Sequence, residues 1–86
     1  MKIARTDNFK KDYQALPDDA WKAAAKQITQ LLIDHKHPSL RLEGISGRKS
    51  LFSVRIDIRY RISLSFEEDA ILLRRILDHD DLYKCP

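Results

Sequence analysis

Residues 52–66 read FSVRIDIRYRISLSF, and the parity of this stretch decides the architecture. Every even position from Phe52 to Phe66 is apolar or aromatic, and every odd position from Ser53 to Ser65 is polar. Successive side chains of a strand point to opposite faces, so the pattern belongs to a sheet with one buried and one wet face. Drawn out as a single strand the segment would reach about 50 Å, against the ~20 Å of an ordinary strand. It therefore folds back on itself, and Asp57, near its midpoint, is the best turn residue available. For even residues to share a face in both arms, paired residue numbers must sum to an even number, so the loop holds an odd number of residues. A loop of Asp57, Ile58 and Arg59 pairs Ile56 with Tyr60, Val54 with Ile62 and Arg55 with Arg61. A register shifted by two residues would instead oppose Arg55 to Arg59, or Ser53 to Arg61.

Either register gathers guanidinium groups on the polar face. Like charges directly opposite in a sheet destabilise it by some tenths of a kcal/mol, and Asp57, at the turn, is the one carboxylate within the stretch. Arg74 or Arg75 from the following strand can join the group. Forked, permanently charged donors without partners suit a phosphate or a carboxylate. The competing structural reading is a solvated face whose charges discourage edge-to-edge pairing.

Working outward, residues 1–5 are long enough for an edge strand carrying Ile3. Thr6, Asp7 and Asn8 are helix-capping types, and Phe9, Tyr13 and Leu16 follow on one helical face. Pro17 ends that helix, and Asp18 or Asp19 can cap a longer one. Its stripe of Trp21, Ala24, Ala25, Ile28, Leu31 and Leu32 runs to about Asp34. Two helices joined this closely form an antiparallel hairpin. His35 to Ser39 is loop by composition, with two histidines too few for a zinc site, so no metal is expected. Leu40, Leu42 and Ile45 lie at the margin of the core, and Gly44 and Ser46–Arg48 read as turns. After an acidic turn at Glu67–Asp69, Ala70–Leu77 forms a strand whose consecutive Ile71, Leu72 and Leu73 place it centrally. Asp78 can cap a short terminal helix over His79–Tyr83. The expected fold is α+β, a single domain over residues 1–86 with the order β-α-α-β-β-β. The helical hairpin packs on one face of an antiparallel meander, and a short C-terminal helix or tail follows.

The net charge of +3 is unevenly spread: residues 1–40 carry +2, residues 41–66 carry +4 and residues 67–86 carry −3. A cationic zone on a nearly neutral chain favours a local anionic ligand over attraction of the whole molecule to a polyanion. No apolar run approaches the ~18 residues of a membrane span. MKIARTDNFKKDY lacks the apolar stretch of a signal peptide, so the cytoplasm is the expected location, with no membrane association. The single cysteine, Cys85, fits a reducing compartment and reads as a bystander.

HPSLRLEGI before the hairpin, SVRIDIRYRIS within it and HDDLY after the last strand, in this order, make the chain similar to the RelE/ParE superfamily of bacterial toxins. The core of the resemblance is Val54, Arg55, Tyr60, Arg61 and Ile62, with His79 and Tyr83 beyond. It spans nearly the whole chain and implies the toxin of a type II toxin–antitoxin system, with a cognate antitoxin protein as partner. RelE-like members are mRNA interferases that cut mRNA on the ribosome. The implied activity is thus an endoribonuclease using neither metal nor small-molecule cofactor, in which a ribose 2′-hydroxyl attacks the neighbouring phosphate. By the resemblance, Arg61 holds that phosphate and Arg55 is a second basic strand residue. Tyr83 stacks or transfers a proton, and His79, of the side-chain type that titrates closest to neutrality, is the candidate general acid or base. Arg59, Lys49, Arg48 and Ser53 are the further candidates for phosphate and RNA binding. Ser53 stands where efficient members commonly carry lysine, and Asp80 and Asp81 stand where a basic residue is frequent. Those departures support an alternative: a non-catalytic ParE-like inhibitor of DNA gyrase, or a degenerate toxin that retains only antitoxin binding.

Overall fold

Thr6 marks the first junction of the chain. In the computed structural model, which describes residues 2–86, its hydroxyl accepts from the Phe9 N–H at 3.0 Å and donates to the Arg74 carbonyl at 2.6 Å. One side chain thus ends strand β1 (Lys2–Arg5), caps helix α1 (Asp7–Gln14) and ties both to the last strand. Pro17 is the N-cap of helix α2 (Asp18–Ile33). Asp18 and Asp19 therefore lie inside the first turn, favourable to the helix dipole, rather than at the cap as expected. After a 3-10 turn at Pro38–Leu40 come β2 (Glu43–Gly44), β3 (Phe52–Arg55), β4 (Tyr60–Phe66), β5 (Ala70–Asp78) and helix α3 (His79–Lys84).

The sheet order is β1-β5-β4-β3-β2. β3, β4 and β5 form the expected antiparallel meander, in the register that pairs Val54 with Ile62 and Arg55 with Arg61. Two additions come from the edges. β1 pairs in parallel with the start of β5, Ile3 opposite Ile71, which makes the sheet mixed. The two-residue β2, whose Gly44 reads as a turn in the sequence, pairs with β3 through Glu43 and Gly44.

The core lies between the sheet and the two long helices. Val54, Ile62, Leu64, Ile71, Leu73 and Ile76 from the strands meet Phe9, Ala24 and Leu31 from the helices. On α2 the inward register is Ala20, Ala24, Gln27 and Leu31. Trp21 and Leu32, assigned to the stripe from sequence, turn outward instead. Tyr13 joins Phe9 and Trp21 in a run of aromatic contacts beside a groove of about 400 Å³ that Ile3, Arg5 and Ile28 also line. β5 carries a bulge beside the Ser63/Leu64 step. Past the end of β1, the Asp12 carboxylate accepts the Ile76 N–H and clasps Arg75 at 2.7 and 3.0 Å.

The far face of the sheet is not the wet surface that its serines suggest. Ser53, Ser63 and Ser65 are all buried. The C-terminal segment reaches the first two: the Tyr83 and Ser53 hydroxyls share a 3.3 Å hydrogen bond, and Ser63 donates to the Pro86 carbonyl at 3.3 Å. Ile58, apolar by parity, is no core residue either, since it sits in the loop and is exposed.

Candidate functional site

Asp57 builds the hairpin loop that positions the arginines. Its Oδ1 accepts the N–H groups of Arg59 at 2.8 Å and Tyr60 at 2.7 Å, the bonding of an Asx turn. The Ile56 N–H closes the loop onto the Tyr60 carbonyl at 3.1 Å. Counting alternate pairs back from that bond makes Arg55 and Arg61 a non-hydrogen-bonded pair, the kind whose side chains stand closer together. Both are partly exposed on the far face.

The guanidinium groups differ in how far they are engaged. Arg61 Nη1 donates to the carbonyls of Asp57 at 2.6 Å and Tyr60 at 2.9 Å. Those bonds fix its direction without cancelling its charge, and donors on its other nitrogens stay available. Among the described residues no carboxylate lies within ion-pair distance of Arg55 or Arg61. Arg59, at the loop, is bonded to Asp78 at 2.9 Å. That hydrogen bond raises the Arg59 pKa and, with the Asp80 N–H as second cause, holds the Asp78 carboxyl below the ordinary carboxylate range. Arg75, a candidate to join the cluster, is withdrawn into its pair with Asp12, which raises its pKa. Arg74 stands at the bulge, its Nε buried without a partner among the described residues.

α3 supplies the remaining groups. Asp78 caps it, Oδ1 accepting the Asp80 N–H at 3.0 Å. The His79 N–H reaches back to the Arg59 carbonyl at 2.8 Å, which ties the helix start to the hairpin loop. His79 and Tyr83, four residues apart on one helical face, contact edge-to-face with centroids 4.9 Å apart. The His79 side chain is 50% exposed with Nδ1 3.3 Å from Asp80 Oδ1, so the ring is accessible and has an acidic neighbour.

The structure therefore gathers Arg55, Arg61, Arg59, His79 and Tyr83 around one end of β3 and β4. Ser53 lies beneath Tyr83, where its hydroxyl is closed to a ligand while α3 stays docked. Arg48 and Lys49 do not join the group: they are exposed in the turn before β3, roughly 10 Å or more along the strand from Arg55. Gln27, absent from the sequence expectations, supports the site from behind. Its Nε2 donates to the carbonyls of Ser39 at 3.1 Å and Arg55 at 3.0 Å, so a buried side chain of α2 pins the end of β3. The signal was a polar residue at the inward register of an apolar stripe. His35 and His37 serve the local structure: His35 packs on Phe66, and His37 Nδ1 accepts the Ser39 N–H.

No protein-family model and no curated protein matches the chain. Solved structures do. A chain of the RelB–RelE antitoxin–toxin complex from Methanococcus jannaschii superposes with a TM-score of 0.77 at 22% identity, over 96% of this chain and 99% of that one. The chain has the RelE toxin fold. The YoeB/ParE toxin from Agrobacterium tumefaciens gives a TM-score of 0.75 at 18% identity, covering 92% of this chain and 99% of that one. YafQ from E. coli gives 0.67 at 17% identity, covering 94% and 96%. The coverage is near-complete in both directions.

Proposed function

We propose that this protein is the toxin of a type II toxin–antitoxin pair and acts as a ribosome-dependent mRNA endoribonuclease. The observation that carries the reading is Arg55 directly opposite Arg61, with no carboxylate on either among the described residues. A like-charge pair costs stability in a sheet, and an anion bound between the two guanidinium groups would remove that cost. The resemblance to RelE-like mRNA interferases supports mRNA as the substrate class, and an antitoxin partner is part of the same proposal.

In this reading Arg61 and Arg55 hold the non-bridging oxygens of the phosphate and stabilise the charge that builds on them. The neighbouring ribose 2′-oxygen attacks phosphorus and gives up its proton to a general base. The bond from phosphorus to the 5′-oxygen breaks, and that oxygen takes a proton from a general acid. The products are a 2′,3′-cyclic phosphate and a 5′-hydroxyl. In the same reading His79, half exposed, serves one of the two proton transfers, and Tyr83, 38% exposed, stacks on a base. Arg59, already paired to Asp78, contributes to binding rather than to the reacting phosphate.

Inducible expression with mapping of mRNA 5′ ends tests the proposal. Wild type should arrest growth and produce new 5′-hydroxyl ends within codons on translating ribosomes. Arg61→Ala should lower cleavage by about 100-fold or more, as expected for loss of one charge-stabilising donor. Full cleavage by both Arg61→Ala and His79→Ala would remove the site assignment. The exposed carboxylates of Asp80 and Asp81 on α3 favour a second reading, a non-catalytic inhibitor that grips a protein target such as DNA gyrase. It predicts arrest with intact mRNA and inhibited supercoiling.

A further inference from the structure

Ile58 is the most exposed large apolar side chain of the chain's described residues, at 84%. Nothing in the fold calls for it. The middle of a tight hairpin loop ordinarily takes glycine, asparagine or aspartate, and a β-branched apolar residue in water gains no packing there. A local rule broken without a structural return is where function is to be sought.

The loop that displays Ile58 is rigid. Asp57 Oδ1 holds the N–H groups of both Arg59 and Tyr60. Arg61 Nη1 holds the Asp57 carbonyl, and the His79 N–H holds the Arg59 carbonyl. The flanking residues are bonded from β4 and from α3, so the side chain between them has a fixed base. Arg61 reaches the Asp57 carbonyl just before Ile58, Arg55 lies opposite Arg61 at the same end of the hairpin, and Arg59, paired to Asp78, follows Ile58 in the loop. A preorganised apolar tip framed by cations matches a ligand that presents flat apolar faces between regularly spaced anions. Single-stranded RNA has that chemistry.

We infer that Ile58 is a base-contacting residue: the hairpin tip packs against a nucleobase next to the phosphate held by Arg55 and Arg61, and so sets which nucleotides are cut. This deepens the proposed endoribonuclease activity and rests on it. Apolar side chains of this size are used elsewhere as wedges against stacked bases. Rigidity matters here, since a tip that had to be ordered on binding would lose much of its discrimination to entropy.

The test is single-turnover cleavage on ribosomes programmed with a panel of codons, comparing wild type, Ile58→Ser and Ile58→Leu, with 5′ ends mapped for each. Ile58→Ser should cut about fivefold more slowly, the low end of what a base contact contributes, with unequal losses across codons and a shifted distribution of ends. Ile58→Leu, which keeps an apolar tip of equal volume, should recover most of the rate. An unchanged rate and distribution in Ile58→Ser overturns the inference while leaving the nuclease in place. So does an unchanged distribution with weakened capture of a co-expressed antitoxin, which would make the tip a protein contact. No cleavage by wild type on any codon removes the nuclease reading itself, and the wild-type lanes report that separately.

Discussion

Val54 and Ser53 are neighbours on β3 and equally hidden, each with 1% of its surface exposed, yet they are buried by different means. Val54 belongs to a continuous apolar core supplied by both long helices and all three meander strands. Ser53 lies under a helix of six residues, held by one fully buried apolar side chain, Leu82, and a shared hydroxyl bond to Tyr83. A helix that short is far below the length at which helices persist alone. α3 is therefore helical because it is docked. One face of the sheet is the body of the fold and the other carries a cover, and the cationic pair sits on the covered side.

The comparison breaks first at two adjacent residues of β4. Ile62→Ala, on the core face, should lose about 2–5 kcal/mol of unfolding free energy, because the methyl groups removed leave a cavity that the packed helices cannot close. Arg61→Ala, one residue earlier, should leave the fold in place and lower the proposed cleavage by about 100-fold or more. Denaturant melts of both variants decide it. A loss of stability in Arg61→Ala as large as that in Ile62→Ala would mean that the two faces do not divide stability from function.

A smaller and more local effect is expected at Leu82. Leu82→Ala should release α3 at a cost of about 2 kcal/mol, which amide hydrogen exchange would register as roughly 30-fold faster exchange in residues 79–85. The core strands should stay protected and the global melting temperature should move little. Exchange accelerating throughout the sheet would show instead that the far face is a second core.

The core face was legible from the sequence and the covered face was not, for a physical reason. Parity along residues 52–66 encodes the hairpin register because a slip of one residue would turn every apolar side chain to water. Arg55 and Arg61 could thus be placed on one face from the residue types alone, while parity left open a register shifted by two residues, and the structure selects the direct pairing. Burial of Ser53 and Ser63 could not be read that way. Their hydroxyls are satisfied by Tyr83 and Pro86, contacts that bridge 30 and 23 positions of the chain, and no local pattern announces them. The Arg75–Asp12 pair, 63 residues apart, escaped for the same reason, so one arginine expected near the cluster is engaged elsewhere. Ile58 lies in the loop as the odd loop length requires, and its apolar type there does not make it a core residue, because alternation continues through a loop only by accident of composition. Gln27 is absent from the sequence expectations, although two bonds to carbonyls are what a buried polar residue in an apolar stripe supplies.

The smallest expected effect lies at the seam between the two regions, where Asp78 both caps α3 and holds Arg59. Asp78→Ser separates the roles, since a serine hydroxyl can still cap the helix while the negative charge is gone. With Arg59 released, one more cation faces the ligand, so the salt dependence of single-stranded RNA binding should steepen by about 0.7 in its log–log slope. The stability profile gives an independent check. Because Arg59 lowers the folded-state pKa of Asp78, its contribution in wild type is fully present above the unfolded carboxylate value and is lost as pH falls through the folded one. The variant has nothing to lose in that window. The two stability curves should therefore differ at neutral pH and converge under acid, with α3 docked in both by hydrogen exchange. Parallel curves together with an unchanged salt slope would show that Arg59 is not restrained by Asp78 in solution. The hairpin loop and the terminal helix would then be coupled only through the His79 backbone.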